Sequence, residues 1–247
     1  MKSFHTLLKT ELKLSLRGMD MVIFALCMPV AVLVLLGAVY GDRPAFEGAG
    51  YTFLEQSFGA LCTISICAGG VMGLPLVVSD YRARKILKRF RVTPVSPGMI
   101  LAVQVVVYIL YALASLALLA LAGAALFGVR FQGDLPVFAA GYALVLVSTF
   151  SIGMMVGGVA PNTKIAGAVA SLLYFPMLLL SGATLPYEVM PAALQRVAGV
   201  LPLSQGVKLL KGAFLGQPTG EIWVPAVILA AVAAVCGAVA VRFFRWE

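Results

Sequence analysis

The side chains of this sequence that could act chemically are concentrated in one short basic segment. Residues 79–97 have the sequence SDYRARKILKRFRVTPVSP, in which six of the ten positions from Arg82 to Arg91 are lysine or arginine. Cations at this density bind anionic surfaces, either the head groups of acidic lipids or an acidic patch on a protein. Apolar residues recur among them at helical spacing, which predicts a short amphipathic helix over 80–92.

Two interpretations of this helix stay open. In the first, the segment fixes the orientation of the protein and binds anionic lipid. In the second, it docks on a cytosolic partner, with Ile86 and Phe90 as apolar anchors and the charges steering the encounter. The candidate docking residues are Arg82, Arg84, Lys85, Ile86, Leu87, Lys88, Arg89, Phe90 and Arg91.

Residues suited to catalysis or metal binding are scarce elsewhere. The sole histidine is His5, and the sequence contains neither an HExxH pattern nor a GxxxxGK[ST] phosphate loop. The four cysteines lie in apolar runs without a CxxC pair, which indicates buried apolar packing rather than a disulfide or a metal site. We therefore expect no catalytic residue, no metal site and no nucleotide-binding site in this chain.

The composition places these residues in a membrane protein. Apolar residues make up 62% of the chain and charged residues 11%, where a soluble domain has about half and about a quarter. Six charge-free stretches are each long enough to cross roughly 30 Å of hydrocarbon as a helix. The sequence predicts an all-α integral membrane protein with six transmembrane helices, at 21–40, 57–78, 99–127, 136–159, 165–183 and 223–242.

The distribution of positive charge predicts the orientation. Of the 18 lysines and arginines, 13 lie on the side of the two termini and the basic segment, and 5 lie on the other side. The positive-inside rule then places both termini in the cytoplasm. Because topology accounts for the net charge of +8, no nucleic-acid partner is expected.

A basic amphipathic helix is predicted over 1–17. Its apolar face is expected to hold Phe4, Leu7, Leu8, Leu12, Leu14 and Leu16, and its polar face Lys2, Lys9, Lys13 and Arg17. Such a helix lies in the membrane interface, either as a plain topology anchor or as a lever. Glu11 falls on the apolar face, where a carboxylate needs a partner, and we expect a basic residue of the next cytosolic loop to supply it.

Two half-length helices are expected within 186–215, near 190–198 and 204–214. Prolines and a glycine divide the segment, and each piece is about half as long as a bilayer crossing. Leu203, Val207, Leu210 and Phe214 align on one face, which favours re-entrant or surface-lying helices packed on protein. They would either cap an exit path or form a purely structural lid.

The spans themselves contain polar but no charged residues. Gln104, Tyr108, Tyr111 and Ser115 fall within a narrow arc of the third span, where they either pack helices together or line a substrate pathway. The lack of intramembrane charge disfavours an ion-coupled transporter or a proton pump.

Two stretches of the sequence carry a family resemblance. ILKRFRVTPVSP at 86–97 and SGATLP…PLSQGVKLLKGAFLG from 181 to 216, with the amphipathic N-terminus and the six spans, resemble the ABC-2 type permeases, the membrane subunits of bacterial ABC exporters. The resemblance covers almost the whole chain. It implies that residues 1–17 form an interfacial connecting helix, that 80–92 form a coupling helix and that 186–215 form outward-side re-entrant helices.

The resemblance also implies partners. The coupling helix would dock on a separate cytosolic ATPase subunit, which would bind ATP and Mg in place of this chain. A second permease copy, identical or paralogous, would complete the pathway, with spans 2 and 5 near the interface.

Three functions can be compared with these features. An export permease that moves an amphiphilic substrate, such as a drug or a lipid-linked molecule, accounts for all of them. A non-transporting membrane anchor that recruits a cytosolic partner has no use for outward re-entrant helices. An intramembrane enzyme or a secondary transporter lacks the intramembrane charges and histidines that its chemistry requires. We therefore expect an export permease surrounded by membrane lipids.

Overall fold

The computed structural model describes residues 2–41, 43–86, 96–182 and 191–244, and within them the chain is helical apart from its connecting segments. The helices are α1 (Lys2–Gly18), α2 (Val22–Tyr40), α3 (Phe53–Ala83), α4 (Pro97–Phe127), α5 (Leu135–Val159), α6 (Thr163–Leu180), α7 (Ala192–Val200), α8 (Pro202–Leu215) and α9 (Thr219–Phe243). Over these residues, extended pairing is limited to an isolated bridge between Pro44 and Thr52. Six helices, α2 to α6 and α9, are long and apolar enough to span a bilayer, which confirms the predicted six-span architecture.

Each predicted span overlaps one of these six helices, and the largest difference is in α3. This helix starts at Phe53 rather than at 57 because a capping box fixes its N-terminus. The Thr52 hydroxyl accepts a hydrogen bond from the Glu55 N–H, and the Glu55 carboxylate accepts one from the Thr52 N–H. The start of α3 is therefore set by polar side chains that lie just outside the apolar run.

The other end of α3 alters the expected coupling helix. Asp80–Ala83 complete α3, and a turn follows in which Lys85 has a φ of +57°. The helix predicted over 80–92 therefore does not begin at Asp80. Its remainder from Leu87 onward lies outside the described residues, as does the whole of 87–95.

Two short helices occupy the region where half-length helices were expected. The four residues predicted to share a face of α8, Leu203, Val207, Leu210 and Phe214, are all buried. They lie in a helix that packs against α3, α5 and α9. Residues 183–190, which include the start of the predicted re-entrant segment, lie outside the described residues.

The helix at the centre of the fold is α3. In its most apolar stretch 83% of the residues are buried, against 17–50% in the other five spans. Cys62 and Cys67 lie in this buried surface, whereas Cys27 on α2 is exposed, contrary to the expectation that the cysteines are buried.

We call the end of the bundle that carries α1 the α1 side, and the end that carries α7 and α8 the α8 side.

Glycines bring the backbones of α3 and α5 into direct contact. Gly153 lies so close to the Gly70 carbonyl oxygen that a Cβ atom at position 153 would overlap it. One turn further along, a Cβ at Gly157 would lie 2.9 Å from the Pro75 Cα. Small residues four apart allow membrane helices to approach in this way.

A wide π-helical turn interrupts α3 at Ala68–Gly73. The Leu74 N–H bonds to the Gly69 carbonyl, five residues back, and Pro75 follows immediately. Because proline has no N–H and its ring clashes with the carbonyl four residues before it, a wider turn relieves the conflict. An equivalent turn at Val22–Cys27 in α2 also precedes a proline.

The packed face of α1 is narrower than predicted. Phe4, Leu7, Leu8 and Leu12 pack against the core as expected, but Leu14 and Leu16 are 56% and 48% exposed. The packed residues recur every three or four positions, and Leu14 and Leu16 fall outside that stripe. Glu11 and Ser15 lie within it instead.

Replacing Gly153 with alanine should destabilise the protein by about 1–3 kcal/mol, because the added methyl group overlaps the Gly70 carbonyl and forces α3 and α5 apart. The measurement is thermal unfolding of the purified protein in detergent. The matched control is Gly237→Ala on α9, where a Cβ would lie 4.0 Å from its nearest neighbour, Ser151 Oγ. Equal loss of stability in both variants would contradict the importance of the α3–α5 contact.

Candidate coupling site

A half-buried carboxylate joins three helices on the α1 side. Glu11 Oε2 accepts hydrogen bonds from the Tyr81 hydroxyl at 2.7 Å and from Gln104 Nε2 at 2.8 Å. Gln104 Nε2 also donates to the Tyr81 hydroxyl oxygen at 2.9 Å, so the three groups form a closed triangle. Since these residues belong to α1, α3 and α4, one carboxylate holds the amphipathic helix against two membrane spans.

Among the described residues, the partners of Glu11 differ from the expectation. We expected a basic residue of the adjoining loop, and the described part of the chain provides a phenol and an amide. Lys88, Arg89 and Arg91 of that loop lie outside the described residues. Hydrogen bonds to an ionised group are stronger than those between neutral groups, so neutral donors can satisfy a carboxylate. The position of Glu11 on the apolar face correctly indicated that its carboxylate has partners within the protein, but the packing of α1 was needed to identify Tyr81.

The polar arc of α4 faces other helices of the same chain. Tyr111 accepts a hydrogen bond from the Ser15 hydroxyl of α1 at 3.1 Å. The ring of Tyr108 lies against the π-helical turn of α3, where a Cβ at Gly73 would be 2.7 Å from it. Ser115 is 1% exposed, and its hydroxyl has no hydrogen-bond partner among the described residues. This geometry favours helix packing over a pathway lining for the arc.

Arg82 points into the protein rather than towards a docking partner. Its side chain is 8% exposed, and Nη1 donates to the carbonyl oxygens of Gly157 at 2.9 Å and Ala160 at 2.8 Å. These carbonyls end α5, where a cation also interacts favourably with the helix dipole. The predicted docking residue Arg82 therefore caps α5, and nothing in the sequence distinguishes it from its basic neighbours.

The other basic residues of this segment differ from Arg82. Arg84 forms an exposed ion pair with Asp80 at 2.9 Å, a contact of the kind that contributes little stability. Lys85 is exposed and Ile86 is half-buried. The remaining predicted docking residues, Leu87, Lys88, Arg89, Phe90 and Arg91, lie outside the described residues.

A second carboxylate, which is buried, secures the opposite end of α3. Glu55 is 5% exposed and accepts hydrogen bonds from the Arg130 N–H at 2.9 Å and from Gln132 Nε2 at 3.3 Å. Both donors belong to the segment that leads into α5. Sequence reasoning missed Glu55 because it lies just outside the charge-free run, and its only signal was the capping pattern with Thr52.

The arrangement is suited to transmitting movement rather than to catalysis. The helices α3 and α4 lead into and out of the basic segment, and each binds the Glu11 carboxylate of α1. A displacement of the basic segment would move Tyr81 on α3 and Gln104 on α4, and both are hydrogen-bonded to Glu11 of α1. We call the set Glu11, Tyr81 and Gln104 the coupling triad.

Replacing Arg82 with methionine should destabilise the protein by about 2–3 kcal/mol, because two buried carbonyl groups lose a charged donor. Arg84→Met, two residues away and 70% exposed in its side chain, should cost less than about 1 kcal/mol. Thermal unfolding of the two purified variants compares the sites directly. If the two variants are equally stable, Arg82 does not cap α5.

Comparisons with known proteins agree with this architecture. The family model for the ABC-2 type transporter matches residues 2–215. The chain is 30% identical over 119 residues to the inner membrane transport permease YhhJ of Escherichia coli (strain K12), a stretch that covers 48% of this chain and 32% of the relative. It is 38% identical over 72 residues to nodulation protein J of Rhizobium leguminosarum bv. viciae, covering 29% of this chain and 28% of that protein.

A third relative matches over a longer stretch. The probable multidrug ABC transporter permease YbhS of Escherichia coli (strain K12) is 24% identical over 158 residues, which cover 64% of this chain and 42% of the relative. The chain thus spans about a third of the length of the first relatives and less than half of YbhS. Because the family model covers most of the sequence, the chain belongs to the ABC-2 type transporter family.

Proposed function

We propose that this permease exports an amphiphilic substrate, driven by a separate ATPase subunit that docks on the basic segment around 80–92. The observation that carries the proposal is the coupling triad. It connects α1 to the two helices that flank the basic segment. Force applied to that segment by an ATPase would reach α1, α3 and α4 together, as ATP-driven transport requires.

Several features support an amphiphilic substrate. The charged side chains buried in α3 lie near its two ends, and both are engaged in hydrogen bonds to backbone groups. The middle of the bundle therefore offers apolar and weakly polar surface, which suits a drug or a lipid-linked molecule better than a small ion. The name of one relative describes probable multidrug transport, which agrees with this class.

The proposal includes a second permease copy, identical or paralogous. Of α3 and α6, the two helices expected near the interface with that copy, α6 is the better placed. The apolar side chains of Leu172, Phe175 and Leu179 on α6 are 74%, 56% and 55% exposed. By contrast α3 is mostly covered within one chain and offers little surface. We place the chain in the inner membrane with both termini and the α1 side in the cytoplasm.

Transport by reconstituted protein tests the proposed function. The purified chain alone should not hydrolyse ATP, whereas proteoliposomes that contain it with its co-purifying ATPase should move a fluorescent amphiphile away from the ATPase side. The readouts are phosphate release and accumulation of the amphiphile in the lumen. Vanadate-sensitive hydrolysis by a preparation free of any second protein, or movement towards the ATPase side, would refute the proposal.

Substitutions in the basic segment and the triad separate docking from transmission. Phe90→Ala should weaken ATPase binding roughly 30-fold, since buried aromatic anchors often contribute about 2 kcal/mol. Phe46→Ala, an aromatic residue 58% exposed on the α8 side, is the matched control and should leave binding unchanged. Glu11→Gln should keep the ATPase bound but lower transport per ATP hydrolysed.

Co-purification of the tagged chain with the ATPase measures the first effect, and transport in proteoliposomes measures the second. If Phe90→Ala and Ile86→Ala keep full partner binding and full transport, the docking role of the segment is wrong. If removal of basic charge alone impairs the protein, the lipid-binding interpretation is favoured.

A further inference from the structure

An apolar groove of about 820 Å³ lies between α4 and α5 and is not used by the coupling site. It is lined by α4 from Ile109 to Ala124 and by α5 from Leu135 to Val147, with Phe58 of α3 and Phe214 of α8 among its other lining residues. Much of its wall consists of alanine, for example Ala120 and Ala143, so the space exists because larger side chains are missing there.

We propose that this groove binds a bilayer phospholipid, with one acyl chain between α4 and α5 and the phosphate against Arg130. The proposal is independent of the proposed export function, because it concerns a lateral surface of the single chain.

The lining excludes water as the occupant. The one phenolic side chain in the groove, Tyr142, donates its hydroxyl to the Ala112 carbonyl at 2.7 Å. The remaining lining residues are aliphatic or aromatic. A water molecule needs two to four polar partners, which these side chains do not provide. Since α4 and α5 are long and apolar enough to span a bilayer, lipid acyl chains have access to the groove.

The length of the groove suits an acyl chain. The 15 residue steps from Ile109 to Ala124 correspond to about 22 Å of helix. One leaflet supplies about 15 Å of hydrocarbon, half of the bilayer core. A chain that enters from the α8 side would therefore be accommodated along its whole length.

An exposed arginine, Arg130, lies in the loop at the α8 end of the groove. Arg130 is exposed and lies in sequence between Val129 and Phe131, which both line the groove. Its backbone N–H is bound to Glu55, which fixes the position of the loop. Within the described residues its guanidinium group has neither a hydrogen bond nor an ion pair. Arginine matches phosphate geometry through paired donors, so charge complementarity points to a phospholipid.

The loop also contains an anion. Asp134 is exposed and precedes α5, so the loop at this end of the groove carries one charge of each sign. A phosphatidylethanolamine head group, with its phosphate and its ammonium, complements this pair. It is therefore the probe for the experiment.

Photo-crosslinking in nanodiscs of phosphatidylcholine tests the proposal. The probe is phosphatidylethanolamine with a photoactivatable acyl chain, and the labelled peptides are mapped by mass spectrometry. Labelling should concentrate on the groove-lining stretches of α4 and α5. Ala120→Phe should fill the groove and reduce this labelling at least fivefold, whereas Ala125→Phe, exposed on α4 outside the groove, should not.

Head-group recognition is tested separately with a photoactivatable diacylglycerol that lacks the phosphate. Arg130→Ala should lower phosphatidylethanolamine labelling about fivefold, to the level of the diacylglycerol, since a basic residue near the surface contributes about that factor. Arg196→Ala removes another exposed arginine from the α8 side and should have no effect. Diacylglycerol labelling should not depend on Arg130.

Three results would overturn the proposal. Equal labelling of Ala120→Phe and Ala125→Phe would mean that the probe reports only the general lipid shell. A disulfide-linked dimer of Leu113→Cys, in a background without the native cysteines, would identify a second copy as the occupant. Retention of phosphatidylethanolamine preference in Arg130→Ala would remove the phosphate contact. Ala143→Leu on the opposite wall serves if Ala120→Phe fails to elute as a single folded species.

Discussion

The direct backbone contact between α3 and α5 is the constraint on which the rest of the structure depends. Gly70 and Gly153 leave no space for a side chain between these helices. Two buried charged residues, Glu55 and Arg82, then tie one end of α3 to the segment that leads into α5 and the other end to the C-terminus of α5. Because a buried charge requires partners, each end of this helix pair is specified by hydrogen bonds as well as by packing. The other spans and α8 are arranged around that pair.

The attachment of α1 is of a different kind. It rests on the half-buried apolar stripe and on hydrogen bonds from side chains, with no glycine contact between backbones. Hydrogen bonds between side chains can exchange partners after a shift of an ångström or two, whereas packed glycine backbones cannot. A movement transmitted from the basic segment would therefore first change the hydrogen bonds of the coupling triad.

The six spans were predictable because insertion in a bilayer depends on composition and length, both of which are local properties of the sequence. The two short helices of the α8 side were predictable from proline positions for the same reason. The partners of Glu11 and Arg82 could not be predicted, since they depend on how far α1 and α5 are rotated about their own axes. The groove between α4 and α5 could likewise not be predicted, because the sequence does not distinguish an alanine in a lipid-facing helix from an alanine in a cavity wall. The segment 87–95, which holds the sharpest sequence signal, lies outside the described residues.

The π-helical turn of α3 has a consequence for how the sequence can change. Each residue of an α-helix turns the chain by about 100°, and the wide turn at Ala68–Gly73 sets the phase between the two halves of α3. That turn holds one residue more than an α-helical turn, so a regular α-helix over the same residues would rotate everything beyond it by about that angle. Tyr81 would turn away from Glu11 and Arg82 away from α5, although neither residue had been altered. The residues of Ala68–Gly73, which form the wide turn, are therefore under the same constraint as Tyr81 and Arg82 themselves.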